Sequence, residues 1–309
     1  MLSYIIRRLI LLIPIMLGVS LIAFSIMHLT PEDPIIKMLG EGASEELVSE
    51  LRAELGLDDP IHIQYFAFLE RFFIKGDMGR SILNGRPVMS LIAGKLPNTI
   101  ILSITAMFIA IIVSIPIGVI SATKPNSLID NLSRIGALVG LSLPGFWLAL
   151  VLMYIFSVYF KWLPPSGFYG PEYLILPALA LSMRELAVLT RITRSSMLEV
   201  IKQDYVIMAR SKGLAERSVI YKHALRNALI PIVTVAGLQF GRMLGGAFII
   251  ETVFAFPGIG WLTVDAIRGF DYPVVQASIM VMTTAFVLAN LLVDIIYAYL
   301  DPKIRYDQD

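Results

Sequence analysis

Six long apolar runs leave this chain few ways to fold. They lie near residues 9–29, 98–122, 136–160, 174–194, 228–250 and 275–299. Each is long enough to cross a hydrocarbon core of about 30 Å as a helix of roughly 20 residues. Lipid offers no hydrogen bonds to a bare backbone, so runs of this kind are expected as helices. Composition agrees: 57% of the residues are hydrophobic and only 16% charged, against about 45–50% and about 25% in soluble domains. Mean hydropathy is +0.76. The expected fold class is an all-α integral membrane protein with six transmembrane helices. Pro14, Pro116, Pro144, Pro177 and Pro231 fall inside the runs; neighbouring helices and side chains can re-satisfy the groups that such breakers free.

Arg7 and Arg8 precede the first run, and "SIMHLTPEDP" after it offers no small-residue cleavage site. Residues 1–30 therefore read as an uncleaved anchor helix rather than a signal peptide. Orientation follows the Lys and Arg of the loops. Arg184, Arg191, Arg194, Lys202, Arg210, Lys212, Arg217, Lys222 and Arg226 crowd residues 184–226; Lys124 and Arg134 lie in 123–135, and Lys303 and Arg305 in the tail. The opposite side has Lys161 in 161–173 and Arg268 in 251–274. Both termini are thus expected in the cytoplasm, the tail being 301–309, with residues 31–97 outside. Within that outer segment, "SEELVSELRAELGLDDPIHIQYFAFLERFF" alternates apolar and charged residues at helical spacing. It predicts two short amphipathic helices, with Ser44 as an N-cap and Gly56 as a stop. No internal repeat or low-complexity linker divides the chain.

Chemistry is excluded more readily than assigned. The sequence has no phosphate loop: Gly94-Lys95 lacks the earlier glycine and is followed by Leu96. It has no G-x-S-x-G elbow and no cysteine, and His28, His62 and His223 are scattered without metal-ligand spacing. No catalytic residue, metal site or bound cofactor is expected, nor an enzyme, nor a nucleic-acid partner. Lipid is the evident one. A secondary transporter needs ionisable groups within several spans. Here only Arg242, Asp294 and the adjacent Arg184-Glu185 qualify. With no relay of acids, the energy source is expected to be external; a self-contained secondary transporter stands as the alternative.

Against that background, "DYVIMARSKGLAERSVIYKHALRN" (204–227) is an anomaly. A basic helix pair with a glycine at its turn suits docking of a soluble partner, although a plain positive-inside loop has the same charge. "ARSKGL" followed by "HALRNALIP" resembles the cytosolic signature of binding-protein-dependent ABC importer permeases, in the form found in the oligopeptide/dipeptide family. The likeness runs the length of the chain. "YIIRRLILLIPIMLGVSLIAFSI", "LRAELGLDDPIHIQY", "GDMGRSI", "LPNTIILS", "ETVFAFPGIGWL", "DYPVVQAS" and "LVDIIYAYLDPKIRY" each resemble a family segment, in the family's order.

The resemblance implies a type I ABC importer permease fold, with a transmembrane core over 98–300 and a coupling region over 195–227. It implies a second homologous permease, two cytosolic ATPase subunits holding ATP and Mg, and an extracytoplasmic solute-binding protein, in a bacterial or archaeal cell membrane. Di- or oligopeptides are the implied substrates; nickel, glutathione and oligosaccharides are carried within the same family. The ATPase contact falls on Asp204, Ala209, Arg210, Lys212, Gly213 and Leu214. The general signature, Glu-Ala-Ala and then Gly, is met only at Ala209 and Gly213, with Ile207 and Met208 departing from it.

Other features invite two readings each. Gly136 with Gly140, and Gly237, Gly241 and Gly245, recur every fourth residue, as for close helix packing or a flexible gate. Arg242 lies deep in the fifth run, where the resemblance implies a small residue; it faces either the bundle or a watery path, in an internal pairing or pore-lining structural role or, as the sharper reading, to meet the carboxylate of a peptide in transit. Gln239, Arg242, Thr283, Thr284 and Asn290 are the candidates for lining such a path. In "FAFPGIGWL", Phe256, Pro257, Gly258 and Gly260 are candidates for an outer gate, with Pro257 between two flexible points. An interfacial aromatic belt of Phe254, Phe256 and Trp261 is the plainer reading.

Overall fold

The computed structural model describes residues 2–29, 35–36, 44–54 and 57–300. Among them the chain is helical, with one isolated bridge between Arg80 and Pro87. All six apolar runs fall on helices. The helices are α1 (Leu2–Leu29), α2 (Glu45–Glu54), α3 (Ile61–Leu69), α4 (Val88–Thr123), α5 (Leu128–Ser142), α6 (Gly145–Met153), α7 (Glu172–Val200), α8 (Asp204–Ser211), α9 (Glu216–Val253), α10 (Ile259–Arg268) and α11 (Tyr272–Leu300). α4, α7, α9 and the Tyr272–Val293 part of α11 are long and apolar enough to cross a membrane. In α1 the apolar stretch is Ile10–Ile26.

The third run is not one straight helix: over residues 136–160, α5 and α6, the latter extended by a π-helical turn over Tyr154–Tyr159, meet at 106°. Leu143 is extended (φ −79°, ψ 131°) because the following Pro144 disfavours the helical region, and Pro144 then caps α6. Pro14, Pro177 and Pro231, by contrast, lie inside unbroken helices.

Two compact units divide the chain. The larger is built on Ile100–Phe256 with the end of α11 from Phe286. Here α7 packs against α5, α6 and α9, around a core that includes Leu102, Leu176, Leu189, Met197, Ile232, Phe254 and Phe256. Small residues let the helices approach: Ala187 meets Gly140, and Gly118 lies where a methyl group would strike Thr193.

The other unit runs from Ile6 to Thr99 and includes Pro257–Ala285. Val88, Ile92, Ile259, Val274 and Val275 form its core. The two short helices expected in the outer segment are α2 and α3. Ser44 accepts from the Leu47 N–H at 3.3 Å, as an N-cap does. Tyr65 of α3 reaches α1, its hydroxyl 2.9 Å from Ser20 Oγ. Asp271 fastens the 81–83 turn, accepting from Ser81 Oγ and from the Ile82 N–H at 3.0 Å. Gly56, the basic tail and the Asp294 side chain lie outside the described residues.

Candidate functional site

The basic segment folds as a short helix pinned at two points. Gln203 is extended and precedes α8, and Asp204 puts a carboxylate in its first turn, where the helix dipole favours one. Val206 and Ala209, three residues apart on one face, are 0% and 7% exposed and belong to the core of the larger unit. Ala209 is therefore an anchor rather than an outward contact. The open face holds Tyr205, Ile207 and Met208, with Leu214 beyond the turn.

That turn needs a glycine. Gly213 has φ +74°, in the left-handed region, and its N–H closes on the Arg210 carbonyl at 2.9 Å. Arg210 then grips Glu216 at both carboxylate oxygens, 2.7 and 3.2 Å away. This pair closes the loop back onto the start of α9, and the carboxylate raises the Arg210 pKa above its ordinary value. Of the expected contacts, Asp204, Lys212, Gly213 and Leu214 are exposed and Arg210 is exposed but occupied. Reading the i, i+3 spacing of Val206 and Ala209 as a buried face would have moved attention from Ala209 to Tyr205, Ile207 and Met208.

A second anchor went unread in the sequence. Arg194, near the same end of α7, donates from Nε and Nη2 to the two oxygens of Asp130 at 2.6 and 3.0 Å. Asp130 is fully buried and also accepts the Asn126 N–H at 2.9 Å, while Ser127 Oγ caps the Asp130 N–H. The signal was the S-x-x-D pattern at 127–130, close kin to a capping box. The connection between α4 and α5 is thereby tied to the segment that leads into α8.

Of the path candidates, the structure joins Gln239 and Arg242. Arg242 Nη1 donates to Gln239 Oε1 at 3.1 Å, and Gln239 is 5% exposed. Behind it stands Glu185 of α7, 6% exposed, whose electrostatic neighbours are Arg184, Arg242 and the Gln239 side chain. Asn290 fills the notch at Gly241, and its amide donates to Phe286 O at 3.0 Å. Thr283 and Thr284 each donate to their own helix, to the carbonyls of Ile279 and Met280 at 2.8 Å. Their hydroxyls are thus engaged locally, and nothing in this geometry marks them as a polar lining.

The candidate gate is a packed corner. Phe254 and Phe256 are buried, and Phe256 stacks at a tilt on Phe168 with ring centroids 4.8 Å apart. The belt reading therefore fails for both. Ala255, at φ +45°, makes the reversal. Gly258 is extended and Gly260 is helical, conformations that do not require glycine. The Pro257 carbonyl accepts from Asn98 Nδ2 at 2.8 Å, and the Ile259 N–H donates to Thr99 Oγ1 at 2.9 Å.

The chain matches the family "Binding-protein-dependent transport system inner membrane component" over residues 114–306, and the N-terminal domain of the same membrane components over residues 1–105. It is 44% identical over 334 aligned residues to the dipeptide transport system permease protein DppB of Alkalihalophilus pseudofirmus, covering 99% of this chain and 100% of that one. It is 42% identical over 306 residues to the glutathione transport system permease protein GsiC of Salmonella paratyphi A, with the same coverage. Against the oligopeptide transport system permease protein AppB of Bacillus subtilis it is 40% identical over 317 residues, again covering 99% and 100%. Among solved structures, the MetNI methionine ABC transporter in inward-facing conformations shares the fold, with TM-score 0.59, 18% identity, and coverage of 69% of this chain and 97% of that one.

Proposed function

This chain belongs to the family of binding-protein-dependent transport system inner membrane components, and from that membership we propose that it forms the translocation path for di- or oligopeptides in an ATP-driven importer. It is a multi-pass membrane permease and not an enzyme. The proposal extends to its surroundings: a second homologous permease beside it, two ATPase subunits that hold ATP and Mg beneath, and a solute-binding protein outside. Both termini face the cytoplasm on this reading, because the basic residues of 184–226 do.

One observation carries the mechanical part. α8 turns Tyr205, Ile207 and Met208 outward while Val206 and Ala209 lock it into the core. A short helix held rigidly from behind and apolar in front suits a cleft in a partner that opens and closes. Movement of the ATPase subunits would pass through α8 to α7 and α9 as a rigid-body switch. Arg210 is bound to Glu216 in this arrangement, so among the expected contacts the exposed charges left to meet the ATPase are Asp204 and Lys212.

Peptides are proposed as substrates on the full-length likeness to the dipeptide and oligopeptide permeases. The equal coverage of the glutathione permease supports a second reading, import of that carboxylate-bearing tripeptide. Purification of the tagged chain from its own cell in mild detergent, followed by mass spectrometry, tests the assembly. Recovery of a second permease and ATPases containing phosphate loops is the expected result. Recovery of the chain alone, under conditions that keep other membrane complexes whole, would count against it. Uptake of a labelled dipeptide by the reconstituted complex, in competition with glutathione, decides between the substrates.

A further inference from the structure

The cluster of Glu185, Gln239 and Arg242 is not needed for docking, and packing does not account for it. Arg242 lies about 16 Å along α9 from its Val253 end, at 1.5 Å per residue. A charge at that depth is costly against hydrocarbon and faces the bundle interior or water. It stands on the open stripe of α9, between Leu238 and Ile249, beside Gly245 and Gly246, where an added methyl group would meet nothing within 4 Å.

A guanidinium has five N–H donors. The one bond to Gln239 takes Nη1 and leaves the Nε/Nη2 edge, the one that grips a carboxylate with two parallel bonds. Glu185 does not fill it. Among the described residues no ion pair joins Glu185 to Arg242, and Glu185 Oε2 is buried without a hydrogen-bond partner. Glu185 therefore stays off the guanidinium and leaves its donors open.

We propose that Arg242 is a way-station for the C-terminal carboxylate of the transported peptide, with Gln239 and Glu185 as positioning residues. This rests on the peptide reading above. A single guanidinium, with one of its donors already taken by Gln239, holds the carboxylate weakly enough to release it inward, as a conduction site must.

The test uses the full complex in proteoliposomes, with binding protein saturated by trialanine or by its C-terminal amide, and turnover measured per complex. The wild type is expected to move the free acid about tenfold faster than the amide. The ratio should fall to about one in Arg242→Gln and to an intermediate value in Arg242→Lys, which keeps the charge but not the planar fork. A wild-type ratio of one, or a ratio unchanged in either variant, overturns the way-station and leaves peptide import standing. So does loss of the partner permease from the Arg242→Gln complex, which would make the guanidinium an interface group. Should that variant fail to fold, Arg242→Lys alone decides by its ratio. A wild-type complex that moves neither peptide overturns both readings at once.

Discussion

Arg194 and Asp130, 64 residues apart in sequence, meet in a two-point ion pair whose carboxylate is fully buried. The acid accepts from Arg194 and from the Asn126 backbone together. Removing one partner of a buried, hydrogen-bonded pair leaves the other charge uncompensated, and Arg194 is itself a quarter exposed, which softens the loss. Asp130→Ala should therefore destabilise the chain by about 2–4 kcal/mol. Asp130→Asn, which keeps the shape and part of the hydrogen bonding, should cost less than half of that. Thermal unfolding of the detergent-purified protein measures both. Equal melting of all three would mean that the pair contributes nothing.

Gly213 separates backbone strain from crowding. A Cβ there would meet nothing within 4 Å, but the residue sits at φ +74°. Gly213→Val should cost about 1–2 kcal/mol locally through the left-handed conformation. Gly213→Asn should be tolerated better, because asparagine visits that region. In the complex, Val is expected to leave ATP hydrolysis running while uptake falls, and Asn to keep the two coupled. Uptake equally impaired by both would point to side-chain bulk at the partner surface instead.

The glycines of α9 divide in the same manner. A methyl group at Gly237 would lie 2.2 Å from Val293 Cγ1 and one at Gly241 2.8 Å from Asn290 Oδ1, whereas at Gly245 it meets nothing. Gly237→Ala is expected to lower the melting temperature of the isolated chain, at a cost of about 1–3 kcal/mol for overpacking. Gly245→Ala should leave it unchanged. The flexible-gate reading of this repeat predicts similar effects at the two positions, so a difference between them settles the matter for packing.

Neighbouring residues of α8 should respond oppositely to a charge. Val206→Asp places a carboxylate in the core, at a cost of several kcal/mol, and should abolish folded protein. Met208→Asp, on the open face, should leave the stability within about 0.5 kcal/mol of the wild type and reduce ATPase recovery in a pull-down. Intact ATPase recovery with Met208→Asp would place the docking surface elsewhere.

Hydropathy alone located the six apolar runs that the structure places on helices, since the lipid constraint acts on every residue of a span. It did not reveal the 106° break at Pro144. Pro177 and Pro231 carry the same local signal inside intact helices, and what differs is the Leu143-Pro144-Gly145 setting and the packing around it. The docking segment was legible as a place but not as a surface. Ala209 looked like a contact because of its position in a motif, and burial reassigned it to the core. Gln239 and Arg242 were both picked out, but the buried Glu185 behind them was not tied to them, because its link runs between α7 and α9. Asp130 was missed for the same reason: its partner Arg194 lies 64 residues away.

The bend between α5 and α6 also bears on the thickness of the surrounding bilayer. Each arm has 15 residues, counting the π-helical turn with α6, and so reaches about 22 Å. Neither arm alone matches a hydrocarbon slab of about 30 Å. The Pro144 carbonyl is taken up by the Leu148 N–H at 3.1 Å, and any backbone group the break does leave open cannot face acyl chains. An arm set alone across the membrane would require the bilayer to thin, at a cost of a fraction of a kcal/mol per ångström of mismatch, or to yield to water or to a neighbouring polypeptide. In lipids of longer chain, the corner is where elastic stress from the bilayer would enter the protein.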